Sequence, residues 1–216
     1  MRAGEFERPL QFDNFRDGPF DFDAARLRSG RTVITVTDPI VQTRRWLERA
    51  VIGLNLCPFA KAVYVKQQVR FVVSDATTPE ALLESLIAEL PNLSDADPHA
   101  IDTTLLIHPQ VLTDFLDYND FLETADDAVE ELELEGIIQI ASFHPGYQFA
   151  GTARDDIGNF SNRAPFPTLH LLREDSVTRA VEAFPDADAI VDRNMAPLEA
   201  RVSDGWNRLV NAPTLQ

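Results

Sequence analysis

Two apolar runs, Thr103 to Ile107 and Ile137 to Phe143, each end in a histidine-proline pair, His108-Pro109 and His144-Pro145. Between them, apolar side chains at 111, 115, 118, 122, 125, 129 and 132 keep the seam of an amphipathic helix, which Gly136 ends. Upstream, Arg70 to Ser74 reads as a shorter strand. Thr78-Pro79-Glu80 then starts a helix by N-cap and first-turn proline, with Leu82, Leu83, Leu86, Ile87 and Leu90 as its core stripe and Pro91 as its stop. Strand, helix, strand, helix, strand at this spacing requires crossover connections, so parallel strands with helices on their faces are expected. His108 and His144 then fall at one edge of the sheet, beyond the carboxyl ends of the strands, where open α/β sheets bind ligands.

The first helix opens with Asp38 as N-cap and Pro39 behind it, and sets Ile40, Leu47, Val51 and Leu54 on one face. Late in the chain, Thr168 to Leu172 reads as a fourth strand. Asp175 caps a helix with Val177, Ala180, Val181 and Phe184 inward, and Pro197 to Val210 is a terminal helix. Residues 1–37 are rich in Phe and Arg without periodicity and read as an extended arm, with a short edge strand at Thr32 to Thr37. The expected architecture is one α/β domain over 38–216, a mostly parallel sheet of about four strands with helices on its faces, after the N-terminal arm 1–37. The spacing leaves the direction of the fourth strand open.

A chain of 216 residues, 44% hydrophobic, supports one good-sized core. Its formal net charge of −16 argues against nucleic acid and anionic membranes as partners, because both are bound through neutralising Lys and Arg. Self-association is left open. Cys57 is the lone cysteine, so no intramolecular disulfide forms, and the start of the chain lacks a secretory apolar run; a cytoplasmic location is the expectation. No window reaches the roughly 18 consecutive apolar residues of a membrane span. Only Lys61 and Lys66 are lysines, so positive charge is carried mainly by guanidinium, the group suited to bidentate binding of carboxylate or phosphate.

The connection from Pro145 to Phe166 has no convincing period, and loops this long in compact domains are usually functional or disordered. Tyr147, Phe149, Ile157, Phe160 and Phe166 offer too much apolar area for disorder, which leaves a packed binding loop. It presents Arg154 and Arg163 as anion forks and Tyr147, Gln148, Asn159 and Asn162 as orienting groups. The competing reading pairs both arginines with Asp155, Asp156 or another carboxylate. His144 and His170 flank the loop, and with His108 they are candidates for acid-base work or for a transition metal such as zinc, iron or copper, although no tight ligand spacing is present. The bland alternative for His170 is a buried neutral ring with both nitrogens hydrogen-bonded.

Cys57 precedes Pro58 in Leu56-Cys57-Pro58-Phe59-Ala60-Lys61, where it would cap a new helical turn. The helix dipole and Lys61 would lower its pKa and make it a nucleophile or redox centre, against the common alternative of a small buried hydrophobe.

Asn-Leu-Cys-Pro-Phe-Ala (55–60), Ser-Phe-His-Pro-x-Tyr-Gln-Phe-Ala-Gly-Thr (142–152), Asn-Arg-Ala-Pro-Phe-Pro-Thr-Leu-His-Leu-Leu-Arg-Glu (162–174) and Asn-Met-Ala-Pro-Leu-Glu (194–199) together resemble the bacterial proteins of the domain-of-unknown-function family DUF1415. The resemblance runs from about Asp38 to the C-terminus and implies that the residues chosen on physical grounds lie in the family's signature segments. It implies no reaction.

Three functions are compatible with these residues. The first is an enzyme for a small anionic metabolite, with Arg154 and Arg163 on the anion and His144 and His170 in acid-base or metal-ligand roles. The second is a thiol enzyme centred on Cys57. The third is a binding protein without turnover.

Overall fold

The computed structural model describes residues 38–183, 190–202 and 205–206. The predicted arm with its edge strand, Phe184 and most of the terminal helix past Val202 lie outside the described residues. Helix α1 (Pro39–Trp46) starts as expected, with the Asp38 carboxylate accepting from the Ile40 N–H at 2.8 Å. It runs on as a π-helical stretch, Leu47–Ile52, which no periodicity announces. Helix α2 (Pro58–Val65) has Cys57 at its N-cap position, and strand β1 (Val69–Val73) follows. Helix α3 (Pro79–Asp95) is capped by Thr78 but does not stop at Pro91. Proline within a helix removes one hydrogen bond, and here the buried Leu90 and Leu93 hold the last turn against the core.

Strand β2 (Thr103–Ile107), helix α4 (Phe115–Glu131, capped by Asp114), strand β3 (Ile138–Phe143), a 3-10 turn (Ile157–Asn162) and strand β4 (Thr168–Arg173) complete the body. Helix α5 is Glu174–Glu182, one residue earlier than its predicted cap, and α6 is Ile190–Val202, with Pro197 inside rather than at its start.

The sheet is mixed, in the order β1-β2-β4-β3. Strands β1, β2 and β3 run the same way, as expected, and β4 enters antiparallel between β2 and β3. The long loop after β3 therefore turns the chain back, where a crossover helix would have kept it parallel.

Side chains alternate across the sheet. One face sends Leu106, Leu169, Leu171 and Ile138 against Leu82, Leu86 and Leu90 of α3 and Tyr118, Phe121 and Ala125 of α4. The other sends Phe71 and Phe143 against Trp46, Ala50 and Val51, with Leu56, Ala164, Leu198 and Trp206 completing that core. No helix among the described residues is long and apolar enough to cross a membrane.

Arg173, only 8% exposed, ends β4 on the α3 side. Its guanidinium donates to the carbonyls of Leu93 and Ala96 at the end of α3, to Ser94 at 3.4 Å, and to Ile101 at 3.3 Å. A cation on the orphan carbonyls of a helix C-terminus satisfies them and complements the helix dipole. Arg173→Met leaves these buried carbonyls without a donor and is expected to lower the unfolding free energy by about 3 kcal/mol in urea denaturation. A loss below about 1 kcal/mol would show that water or a neighbour replaces the guanidinium.

Candidate functional site

The loop after β3 is folded on itself. Asn159, fully buried, accepts from Phe149 N and Thr152 Oγ1 at 2.9 Å each and donates to Ala153 O at 2.8 Å. Asn162 donates to Ser142 O at 3.2 Å and accepts from Ser161. Gln148 donates to Thr152 O at 2.6 Å. These amides, the residues expected to orient a ligand, hold the loop together.

Arg163 also works on the backbone, donating to Tyr147 O at 3.2 Å and to Arg154 O, with its guanidinium 4.2 Å from the centre of the Phe160 ring. Burial, then the charge of Arg154, holds its pKa below the usual arginine range. Arg154 is exposed. Neither arginine pairs with Asp155 or Asp156, since the ion pair found among the described residues joins Arg70 and Glu89. Asp156 caps the 3-10 turn, accepting from Gly158 N.

His108 and His144 do share one sheet edge, on the α4 side. Their rings pack against Tyr118 with centroids 5.7 and 5.1 Å away, and the Tyr118 hydroxyl donates to Thr168 O between them. His108 Nδ1 donates to Val111 O at 3.1 Å, while its buried Nε2 has no partner. His144 Nε2 donates to Leu112 O at 3.2 Å and its Nδ1 accepts from Gly146 N at 2.9 Å. Leu112 has φ of +53°, a strained conformation for a γ-branched residue, and the two imidazoles clamp the turn that contains it. With both nitrogens occupied, His144 joins that turn to the loop.

His170 lies on the opposite face. Residue alternation puts it beside Phe143, ring centroids 5.7 Å apart, and Phe143 meets Trp46 edge-on at 5.1 Å. The sheet therefore separates His170 from His108 and His144, which the sequence had grouped. Its Nε2 is 2.6 Å from the Thr103 hydroxyl, whose single proton goes to Leu171 O at 2.7 Å. A carbonyl cannot donate, so Nε2 must carry the imidazole proton and Nδ1 must be the bare lone pair. Nδ1 makes no hydrogen bond to the described residues, and the ring is partly buried. Burial pushes this histidine down to about 4, so the ring is neutral. Thr103, which fixes the tautomer, was legible only as one of two hydroxyls in a buried strand.

Cys57 sits in the same apolar cluster as Phe143, Ile157 and Phe160. Burial pushes its thiol up, against a downward pull from the Ala60 and Phe59 N–H groups, so the expected dipole activation is outweighed. The segment before it is shaped by close packing. A Cβ at Gly53 would stand 2.4 Å from Arg49 O, and Asn55 takes the left-handed conformation with φ of +59°. The turn lets Leu56 N and Cys57 N both reach Val51 O. Asn194 Nδ2, from α6, donates to Leu56 O at 3.4 Å. The separated sequence signatures around Cys57, the loop, His170 and Asn194 thus converge on the α1 side of the sheet.

Charge is divided between the two sides. From Pro39 to Val69 the chain carries Arg44, Arg45, Arg49, Lys61 and Lys66 against Glu48 alone, whereas Asp114 to Glu135 holds ten carboxylates and no Lys or Arg. The basic segment covers the His170 face and the acidic one the other. For a metal, no group of three His, Cys, Asp or Glu side chains comes together among the described residues. A family model described as "Protein of unknown function (DUF1415)" matches residues 38–208. No match was found among curated proteins or among solved structures.

An unfolded histidine titrates near 6.5, whereas burial pushes His108 down to about 4. Above pH 6.5 neither state holds the proton. As pH falls towards 4 the unfolded chain takes it up first, so stability is lost across that window, by up to about 3 kcal/mol from His108 alone. Burial shifts His144 and His170 the same way. Urea unfolding near pH 7 and pH 4.5 should show this loss, and His108→Asn, which keeps a donor for Val111 O, should reduce it. A pH dependence identical in the variant would contradict the assignment.

Proposed function

The chain belongs to the DUF1415 family, and we propose that it is an enzyme for a small anionic metabolite, with Nδ1 of His170 as the group that takes a proton from the substrate. One observation carries this reading: the Thr103 hydroxyl leaves a neutral imidazole with a single lone pair that no described residue uses, on the face covered by the basic segment. A base must be unprotonated and within reach of the reacting hydrogen, and its tautomer must be fixed. His170 is unprotonated and fixed in tautomer in the free protein. When Nδ1 takes a proton, the Nε2–H bond to the Thr103 oxygen strengthens, and that oxygen keeps its own proton on Leu171 O. The ring has low basicity, so it returns the proton readily to a later site on the substrate.

Negative charge is met by the same side of the molecule. Arg154 offers an exposed guanidinium, and Arg163 holds the loop segment that carries it. The 3-10 turn between them packs Ile157 and Phe160 into the cluster that contains Phe143, whose ring lies tilted against His170. Positive charge near a substrate path raises the local concentration of an anion. His144, saturated by Leu112 and Gly146, serves in this reading as the anchor of the loop. The metal reading needs more donors than this side supplies, and the Cys57 reading needs a thiolate that burial opposes.

A panel of small carboxylates and phosphate esters in thermal-shift binding would identify ligands, and turnover of those that bind would follow. His170→Ala is expected to lower kcat/KM by roughly 10²–10⁴-fold with the fold intact. Thr103→Val should lower kcat more than it raises KM and should shift the imidazole ¹⁵N signals towards a tautomer mixture. His144→Gln should act mainly on stability. Full turnover in His170→Ala would overturn the proposal; affinity without turnover of any bound compound would make the chain a binding protein.

A further inference from the structure

The strands present four polar side chains on the α1 face: Thr103, Gln139, Thr168 and His170. Two of them are spent. Thr168 donates to Phe166 O at 3.0 Å and Thr103 to Leu171 O at 2.7 Å. Among the described residues the amide of Gln139 and Nδ1 of His170 have no hydrogen-bond partner, and both residues are half-buried. Polar groups on an otherwise apolar sheet face call for a partner.

The register places the two side by side. Gln139 faces Leu172 and Ala141 faces His170 across the β3–β4 pairing, so Gln139 is the diagonal neighbour of His170. Diagonal neighbours lie about 7–8 Å apart, within reach of long side chains. Phe143 fills the opposite diagonal with its ring, and Ala141, directly across from His170, sets only a methyl group beside the imidazole. A molecule that satisfies both groups must give a proton to Nδ1 and offer an acceptor to the Gln139 N–H. It must carry these on neighbouring atoms, and a negative charge suits the basic segment above. A carboxylate with a hydroxyl or amine on the adjacent carbon has all three properties.

Resting on the reading of His170 as the working base, we infer that the site takes small 2-hydroxy or 2-amino carboxylates. The carboxylate accepts from the Gln139 amide, and the neighbouring O–H or N–H points at Nδ1 of His170. Gln139 is thus a substrate-binding residue and sets the substrate class. Lactate, glycerate, malate and serine belong to that class. Propionate and succinate match lactate and malate in charge and lack the donor.

The experiment is calorimetric titration of the full chain with these six compounds, together with ¹⁵N spectra of its histidine rings. At least one hydroxy or amino acid is expected to bind about tenfold or more tighter than its counterpart and to move the Nδ1 signal of His170. Gln139→Leu should weaken malate and succinate alike, by about tenfold, while the thermal midpoint stays within about 2 °C, as befits a half-buried position. Equal affinity for malate and succinate, with the His170 signal moving in both, would overturn the substrate class and leave the His170 reading standing. Affinity for malate left unchanged by Gln139→Leu would overturn the role of Gln139. If none of the six moves the His170 signal, the class falls, and phosphate esters moving it would show that the wider reading survives.

Discussion

Strand β4 is hydrogen-bonded on both sides, to β2 and to β3, and the rest of the molecule is arranged around it. Its alternation sends Leu169, Leu171 and Arg173 to the α3 and α4 side and Thr168, His170 and Leu172 to the α1 side. A slip of one residue would exchange these sets, putting an imidazole into the leucine core and taking the guanidinium away from the end of α3. Register is therefore fixed from both faces at once. The leucines need α3 and α4, Arg173 needs the carbonyls of Leu93 and Ala96, and the Thr103 hydroxyl needs His170 and Leu171 O together.

Burial makes three histidines neutral but leaves them with different capacities. His144 has both nitrogens on backbone groups, so its ring acts as a cross-link between the Leu112 turn and Gly146. His108 keeps one donor bond and an orphan nitrogen with no route to solvent. His170 keeps one donor bond and a nitrogen that no described residue uses. Desolvation alone does not separate a working histidine from a structural one, because it lowers the pKa of all three. The distinction lies in counting what each nitrogen already touches.

Much of the fold was legible because each core strand and helix carries its own period and stop signals. The Val, Leu and Ile runs of β2 and β3, the Asp38 and Thr78 caps and the alternating seam of α4 all describe local choices, and the chain makes them. The antiparallel direction of β4 was not legible, since a strand looks the same from either end and the preceding loop contains no helix long enough to force a crossover. The π-helical stretch was hidden for a related reason: its hydrogen bonds depend on how Trp46 and Val51 pack, not on a motif. The site was legible in its neighbourhood and misgrouped in its members. His144 and His170 both flank the loop in sequence, but one stands past the end of its strand on the α4 side and the other mid-strand on the α1 side. Asn159, Asn162 and Arg163 look like ligand groups because the side chains that close a loop on itself are those that would close it on a metabolite.

Net charge is a poor guide to the ligand of such a chain. A formal charge of −16 suggests repulsion of anions, yet ten of the carboxylates lie between Asp114 and Glu135, on the α4 side. Helix layers on opposite faces of a sheet lie about 20 Å apart, roughly twice the Debye length at physiological salt. An anion approaching the α1 side is therefore screened from the α4 carboxylates. It meets instead Arg44, Arg45, Arg49, Lys61 and Lys66, with Arg154 on the neighbouring loop. In the proposed reading the acidic half keeps the protein apart from its neighbours, while the basic half would draw a small acid towards His170. The sheet that separates the histidines also separates these two tasks.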